Sequence, residues 1–139
     1  MKRREAREIA FCLIFERSFM MDLSCKEIYN TALTYFDNNE IENEPYIYST
    51  FNGTFENIED IDLLIDSSAS NWDGNRISRV SRAILRLATY EIKYADDIPD
   101  KIAVNEAVEL AKKFDDEKAF SFINGVLAKI VLTVGNKDE

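Results

Sequence analysis

Apolar residues recur in steps of three and four along nearly the whole chain. These steps place apolar side chains on one side of a helix that has 3.6 residues per turn. In the first part of the chain they predict a helix over about residues 3–20 and a second helix that ends at residues 37–39. Ser24 and Glu27 have the spacing of a capping box and therefore mark where the second helix begins.

The middle of the chain predicts a third helix from about Pro45 to Ser67. Asn52-Gly53-Thr54 interrupts this helix, because glycine is unfavourable in a helix interior. The serine-rich stretch over residues 67–71 is typical of a linker.

After the linker, the same period predicts three further helices. The first covers about residues 75–95. Pro99 marks the turn that terminates this helix or the start of the next helix, which runs to Phe114. Asp115 or Asp116 can cap the last helix. The fold class predicted is all-α, a compact bundle of six or seven helices. With 139 residues, of which 46% are hydrophobic, the chain is expected to form one domain over residues 1–139.

The net charge of −9 is distributed unevenly. Residues 1–17 carry five Lys/Arg and three acids, and residues 74–94 carry five and one. Residues 18–73 hold twelve acids and only Lys26 as a base. A uniformly acidic surface repels a polyanion, but two basic segments keep nucleic acid as a candidate ligand.

The residue types argue against an enzyme, a metal site and a membrane protein. The chain has no histidine, and the isolated Cys12 and Cys25 do not make a zinc set. No glycine-rich phosphate loop or nucleophile motif is present, so we expect no catalytic residues and no cofactor. No apolar run has the length of a signal peptide or a membrane span, which predicts a protein of the reducing cytoplasm.

A basic cluster opens the first helix. Lys2, Arg3, Arg4 and Arg7 form a compact cationic edge where the helix dipole also favours a phosphate. Phe11 continues the line of Arg3 and Arg7, so a base could stack there. The alternative is an ordinary solubilising helix end with Phe11 in the core.

A second group of cations lies on the fourth helix, opposite its apolar face. It consists of Arg79, Arg82, Arg86 and Lys93. Such a stripe faces RNA, a protein partner or only solvent. Glu91 falls within the apolar face, where a carboxylate needs a partner; Lys101, Asn105 or an arginine is the candidate.

The same segments carry a family resemblance. The run over residues 82–91, the Ile98-Pro99 turn, residues 105–112 and Phe122-Ile123-Asn124-Gly125 resemble the NusB transcription antitermination factor family in order and spacing. Residues 3–8 also look like that family's arginine-rich start. The resemblance covers essentially the whole chain, most strongly after Trp72.

The resemblance implies two packed helical subdomains, over about residues 1–70 and 72–135. It implies a non-catalytic factor that binds boxA RNA with NusE, a small-subunit ribosomal protein, and joins other Nus factors on RNA polymerase during ribosomal RNA transcription. By position, Arg3, Arg4 and Arg7 take the RNA-binding places of the family, and Lys118 and Phe122 are further expected RNA contacts. Lys2 joins them because it belongs to the same basic cluster. The NusE contacts that the resemblance suggests are Phe15, Ser81, Arg82 and Arg86.

Two alternatives remain open at this point. One is an RNA-binding module that acts with a separate RNA methyltransferase. The other is a helical module that binds only proteins, such as a homodimer whose arginines are salt-bridged. RNA binding measured with and without NusE distinguishes them.

Overall fold

The computed structural model describes residues 1–36, 38–70 and 77–135. These residues form eight helices and no strand, which confirms the all-α prediction. The helices are α1 (Arg3–Arg17), α2 (Cys25–Ala32), α3 (Asn38–Glu42), α4 (Pro45–Glu56), α5 (Ile58–Ser68), α6 (Arg79–Tyr94), α7 (Asp100–Phe114) and α8 (Glu117–Val134).

The helix count exceeds the prediction of six or seven for two reasons. The five-residue helix α3 is too short to show a hydrophobic period. The predicted third helix is two helices, and the break is at Asn57 rather than at Gly53. Gly53 lies inside α4 because the Tyr90 ring packs against it; a Cβ atom there would lie 2.6 Å from that ring. The glycine therefore allows close packing and does not interrupt the helix.

The capping signals are confirmed. The Ser24 hydroxyl accepts a hydrogen bond from the Glu27 N–H (3.1 Å), and the Glu27 carboxylate accepts one from the Ser24 N–H (2.8 Å). Of the two candidate caps for α8, Asp116 is the one that accepts from the Ala119 N–H. Pro99 directly precedes α7. The Ser24 and Asp116 side chains thus satisfy N–H groups that the first turn of a helix leaves without partners.

Part of the predicted linker is helical, since Ser67 and Ser68 belong to α5. Three predicted features lie outside the described residues: the end of the linker at residue 71, the predicted start of a second subdomain at residue 72, and Asp37 at the end of the predicted second helix.

Helix α6 is central to the bundle. It packs against α1, α4, α5, α7 and α8, and it buries side chains around most of its circumference. Helix α1 also packs against α4, and α7 packs against α8. As a result, side chains from the first two turns of α1 meet α4, α6 and α7.

None of the helices in the described ranges has the length and apolar content that crossing a membrane would require.

Candidate functional site

Two of the basic side chains at the start of α1 are open to solvent. Lys2 is exposed, and its backbone N–H donates to the Glu5 carboxylate at 3.0 Å. Arg3 is also exposed, and its guanidinium lies 4.3 Å from the centroid of the Tyr46 ring on α4. A cation over an aromatic face is held by the ring quadrupole while its outer N–H groups stay accessible. Both cations therefore stand beside the positive end of the α1 dipole.

Arg4 is accessible but already has an acidic partner. Its Nε and Nη2 atoms donate to the two carboxylate oxygens of Glu106 on α7, at 3.0 and 2.7 Å. The hydrogen bond and charge of Arg4 hold the pKa of Glu106 below its ordinary value. The Arg4 side chain is 61% exposed and that of Glu106 only 15%. From here on, the cationic edge means the three exposed residues of the predicted basic cluster, Lys2, Arg3 and Arg4, without Arg7.

Arg7 lies behind this edge, in the protein interior. Its residue exposure is 3%, and its Nε lies 3.1 Å from a Glu91 carboxylate oxygen on α6. Its Nη1 lies 3.5 Å from Glu106. The Tyr46 hydroxyl also donates to Glu91. Of the three candidate partners for the buried carboxylate, an arginine is therefore one that contacts it.

Arg7, Tyr46 and Glu91 form a buried network, and burial is the main cause of the pKa shifts of Glu91 and Tyr46. Desolvation raises the pKa of Glu91, and the charge of Arg7 and the Tyr46 hydrogen bond oppose that rise. Desolvation and the Glu91 charge raise the pKa of Tyr46 well above its ordinary range, so its hydroxyl remains a donor. The network ties α1, α4 and α6 together.

The structure thus separates residues that helical spacing placed on one line. Arg3 is at the surface, whereas α6 and α7 cover Arg7. Phe11 is 3% exposed, and its ring lies 5.0 Å from that of Phe114 on α7. The core interpretation of Phe11 is correct, because α7 packs where a base would have to stack.

The two predicted RNA contacts on α8 differ in exposure. Lys118 is exposed on the first turn, and Phe122 is half-buried against the hydrophobic core. Between α1 and α7 lies a cavity of about 360 Å³ with a mixed lining. Its lining includes Arg4, Arg7, Glu8, Glu106, Glu109, Lys112 and Lys113.

The basic stripe on α6 pairs with the acidic helix α5. Arg86 donates two hydrogen bonds to Asp62, at 2.9 and 2.8 Å, and Arg82 lies 3.3 Å from the same carboxylate. Arg82 also donates to Asp66 at 2.8 Å. Part of the acidic middle segment therefore neutralises this stripe within the molecule.

The predicted partner-binding residues lie around the end of α1 and the start of α6. Phe15 packs between Phe11 and Phe19, with ring centroids 6.3 and 5.1 Å away. The buried Ser81 hydroxyl donates to Asp115 at 2.7 Å. The Ser81 hydroxyl is thus engaged within the fold.

Exposed residues that the sequence analysis did not select continue this surface. Phe19 and Met21 are 55% and 51% exposed, and the Arg79 guanidinium lies 4.5 Å from the Phe19 ring centroid. A cavity of about 320 Å³ is lined by Met21, Arg79, Arg82 and Arg86 among others. We call Phe15, Phe19, Met21 and Arg79 the α1–α6 face.

Two residues at the cationic edge were also missed as site residues. Tyr46 carries no local signal, because it comes from a helix distant in sequence. Glu106 stands within the Asn105-Glu106-Ala107 motif that contributes to the family resemblance. A motif in chain order does not indicate a contact with Arg4.

An all-helical bundle that presents a cationic edge and an exposed aromatic face belongs to the class of binding proteins. The sequence model of the NusB family matches residues 4–132 of this chain. A transcription antitermination protein NusB from Acetivibrio thermocellus is 47% identical over 131 residues, which cover 94% of this chain and 89% of that relative. The NusB of Bacillus subtilis is 42% identical and covers 94% of this chain and 95% of its own.

Solved structures agree with the sequence relatives. NusB of T. maritima has a TM-score of 0.83 at 33% identity, covering 99% of this chain and 95% of that one. A crystal structure of antitermination factors NusB and NusE in complex with dsRNA has a TM-score of 0.76 at 26% identity, covering 96% of this chain and 99% of that one. This chain belongs to the NusB family, a family of non-catalytic transcription antitermination factors.

Proposed function

We propose that this protein is a transcription antitermination factor that binds boxA RNA together with NusE. The observation that carries the proposal is the cationic edge, where Lys2, Arg3 and Arg4 surround the N-terminus of α1. A helix N-terminus with exposed cations is suited to phosphate groups. The related NusB bound to NusE and dsRNA supports the choice of ligand and partner.

Three phosphate contacts give modest and salt-sensitive affinity. For single-stranded nucleic acid the logarithm of the binding constant falls by about 0.7 per contact for each tenfold rise in salt. Base recognition then needs other groups, and NusE supplies them in this proposal. On α8, the exposed Lys118 adds a further cation and Phe122 an aromatic contact.

The α1–α6 face is the surface we assign to NusE. Its exposed Phe19 and Met21 provide apolar area, and Arg79 stacks on the Phe19 ring. Aromatic residues and arginine are the types enriched in protein interfaces. In the cytoplasm, the heterodimer bound to boxA then joins other Nus factors and RNA polymerase during ribosomal RNA transcription.

The test measures the affinity for boxA RNA with and without NusE at two salt concentrations. We expect weak, salt-dependent binding by the protein alone and tighter binding by the heterodimer. Arg3→Ala combined with Arg4→Ala should lower the affinity and flatten the salt dependence. Lys129→Ala, an exposed change on α8, serves as the control. Absence of RNA binding in both the presence and absence of NusE would contradict the proposal.

A further inference from the structure

Glu106 is shared by two arginines that differ in accessibility. Its carboxylate makes a bidentate contact with Arg4 and lies 3.5 Å from Nη1 of Arg7. Arg4 is 61% exposed at the side chain, whereas the Arg7 side chain is 4% exposed. Arg4 can therefore rotate toward solvent, but Arg7 cannot.

An RNA phosphate and Glu106 use the same donors on Arg4. A guanidinium offers its Nε and Nη2 edge to one carboxylate or one phosphate at a time in this fork geometry. In the structure, that edge is occupied by Glu106. For Arg4 to hold a phosphate through this edge, the contact with Glu106 must break.

The position of Arg7 lowers the energetic cost of breaking the contact between Arg4 and Glu106. A largely buried carboxylate that lost all its cations would be strongly destabilised. When Arg4 leaves, however, Glu106 still has Arg7 as a partner at 3.5 Å. Arg7 itself is anchored on Glu91, so its charge stays in place during the exchange.

We propose that Glu106 is an intramolecular competitor of RNA for Arg4, which lowers RNA affinity and is displaced when a phosphate binds. The proposal rests on the RNA-binding function proposed above. It makes Glu106 a determinant of affinity that contacts no RNA itself. If Glu106 instead oriented Arg4 for RNA, its removal would weaken binding, so the two roles predict opposite signs.

Salt dependence provides a second readout. Glu106 released from Arg4 attracts cations from solution, which partly cancels the counterions released from the RNA. Without the carboxylate this cancellation is lost. Glu106→Gln should therefore steepen the plot of log affinity against log salt.

The experiment measures boxA RNA binding by the heterodimer with NusE for the wild type, Glu106→Gln and Glu109→Gln. Glu109 is the matched control, because it lines the same cavity on α7 but pairs with Lys112, at 3.5 Å. Both changes remove one negative charge. We expect Glu106→Gln to raise the affinity about two- to fivefold more than Glu109→Gln, because the ion pair is exposed on its Arg4 side and such pairs are worth little.

A double-mutant cycle assigns the effect to Arg4. In an Arg4→Ala background, Glu106→Gln should give no gain beyond that of Glu109→Gln. If Glu106→Gln fails to fold by circular dichroism, Glu106→Asp replaces it, because the shorter side chain keeps the charge but loses the bidentate reach.

Equal gains for the two glutamate variants, or a loss for Glu106→Gln, would overturn the competitor role while RNA binding by the wild type still stood. A wild type that does not bind RNA would overturn the proposed function itself.

Discussion

Glu91 shows most clearly how one residue ties the site to the core. It is 1% exposed on α6 and accepts hydrogen bonds from Arg7 of α1 and Tyr46 of α4. Burying two opposite charges costs desolvation, and their attraction offsets that cost only while both partners remain. Removing Glu91 leaves the buried Arg7 with the more distant Glu106, 3.5 Å from its Nη1, to offset its charge.

Glu91→Gln should therefore lower the free energy of unfolding by about 3 to 5 kcal/mol, because Arg7 would remain charged and buried. Urea denaturation followed by circular dichroism measures the change. Glu8→Gln is the control, since Glu8 pairs with the exposed Lys113 at 2.9 Å and its loss should cost less than about 1 kcal/mol. Equal losses in the two variants would show that the buried pair has no special role.

Local spacing alone could not separate Arg3 from Arg7. The four-residue spacing of Arg3 and Arg7 correctly predicted one helical face, because side-chain direction follows from the helical turn. Spacing does not tell which helix covers that face, so it did not separate the exposed Arg3 from the buried Arg7. The assignment of both to RNA stays a prediction.

At the scale of elements, the pairing of α5 with α6 explains part of the charge pattern. The acids of α5 hold cations of α6, through Asp62 with Arg86 and Asp60 with Lys93. Periodicity predicted the basic side of α6 correctly. It could not predict that α5 packs there, because a charged helix face is equally compatible with solvent.

Asp60 gives this contact a measurable pH dependence. Hydrogen bonds from Lys93 and then from Tyr94 lower the pKa of Asp60 below its ordinary value. A lowered pKa in the folded state contributes stability above the unfolded pKa of about 4, and this stability is lost as pH falls through the folded value. The sign therefore favours the folded state at neutral pH.

Asp60→Asn should lower the free energy of unfolding at pH 7 by less than about 1 kcal/mol, because the pair is partly exposed. The difference from the wild type should shrink as the pH falls below about 4. Urea titrations at pH 7 and pH 3 measure both values. Glu59→Gln, an exposed change on the same helix, is the control for the loss of one negative charge at pH 7. A difference in the free energy of unfolding that widens toward pH 3 would contradict the stabilising role of the Asp60 contacts with Lys93 and Tyr94.

At the scale of the whole molecule, the two surfaces of interest are set by different parts of α1. The cationic edge surrounds its first turn, and the α1–α6 face begins near its end. Because α1 is a single helix packed on α4 and α6, both surfaces belong to one rigid arrangement of helices. One molecule can then hold RNA and a protein partner together.

Phe19→Ser should weaken NusE binding at least several-fold, because a central aromatic contributes strongly to an interface. Its ring is 55% exposed, so the fold should tolerate the change. Calorimetric titration with NusE measures the affinity. Leu132→Ser, an 87% exposed change on α8, is the control for loss of exposed apolar area. Equal affinities for the wild type and Phe19→Ser would remove Phe19 from the partner surface.

The sequence by itself determined the helical class, the capping position at Ser24, the choice of Asp115 or Asp116 as the cap of the last helix, and membership of the NusB family. These depend on residues within a few positions of one another, or on motifs in chain order. Only the tertiary structure decided which cations are available. Arg4 meets Glu106 across 102 residues and Arg7 meets Glu91 across 84. Contacts at such separations arise from the packing of α1 against α6 and α7, which no local pattern encodes.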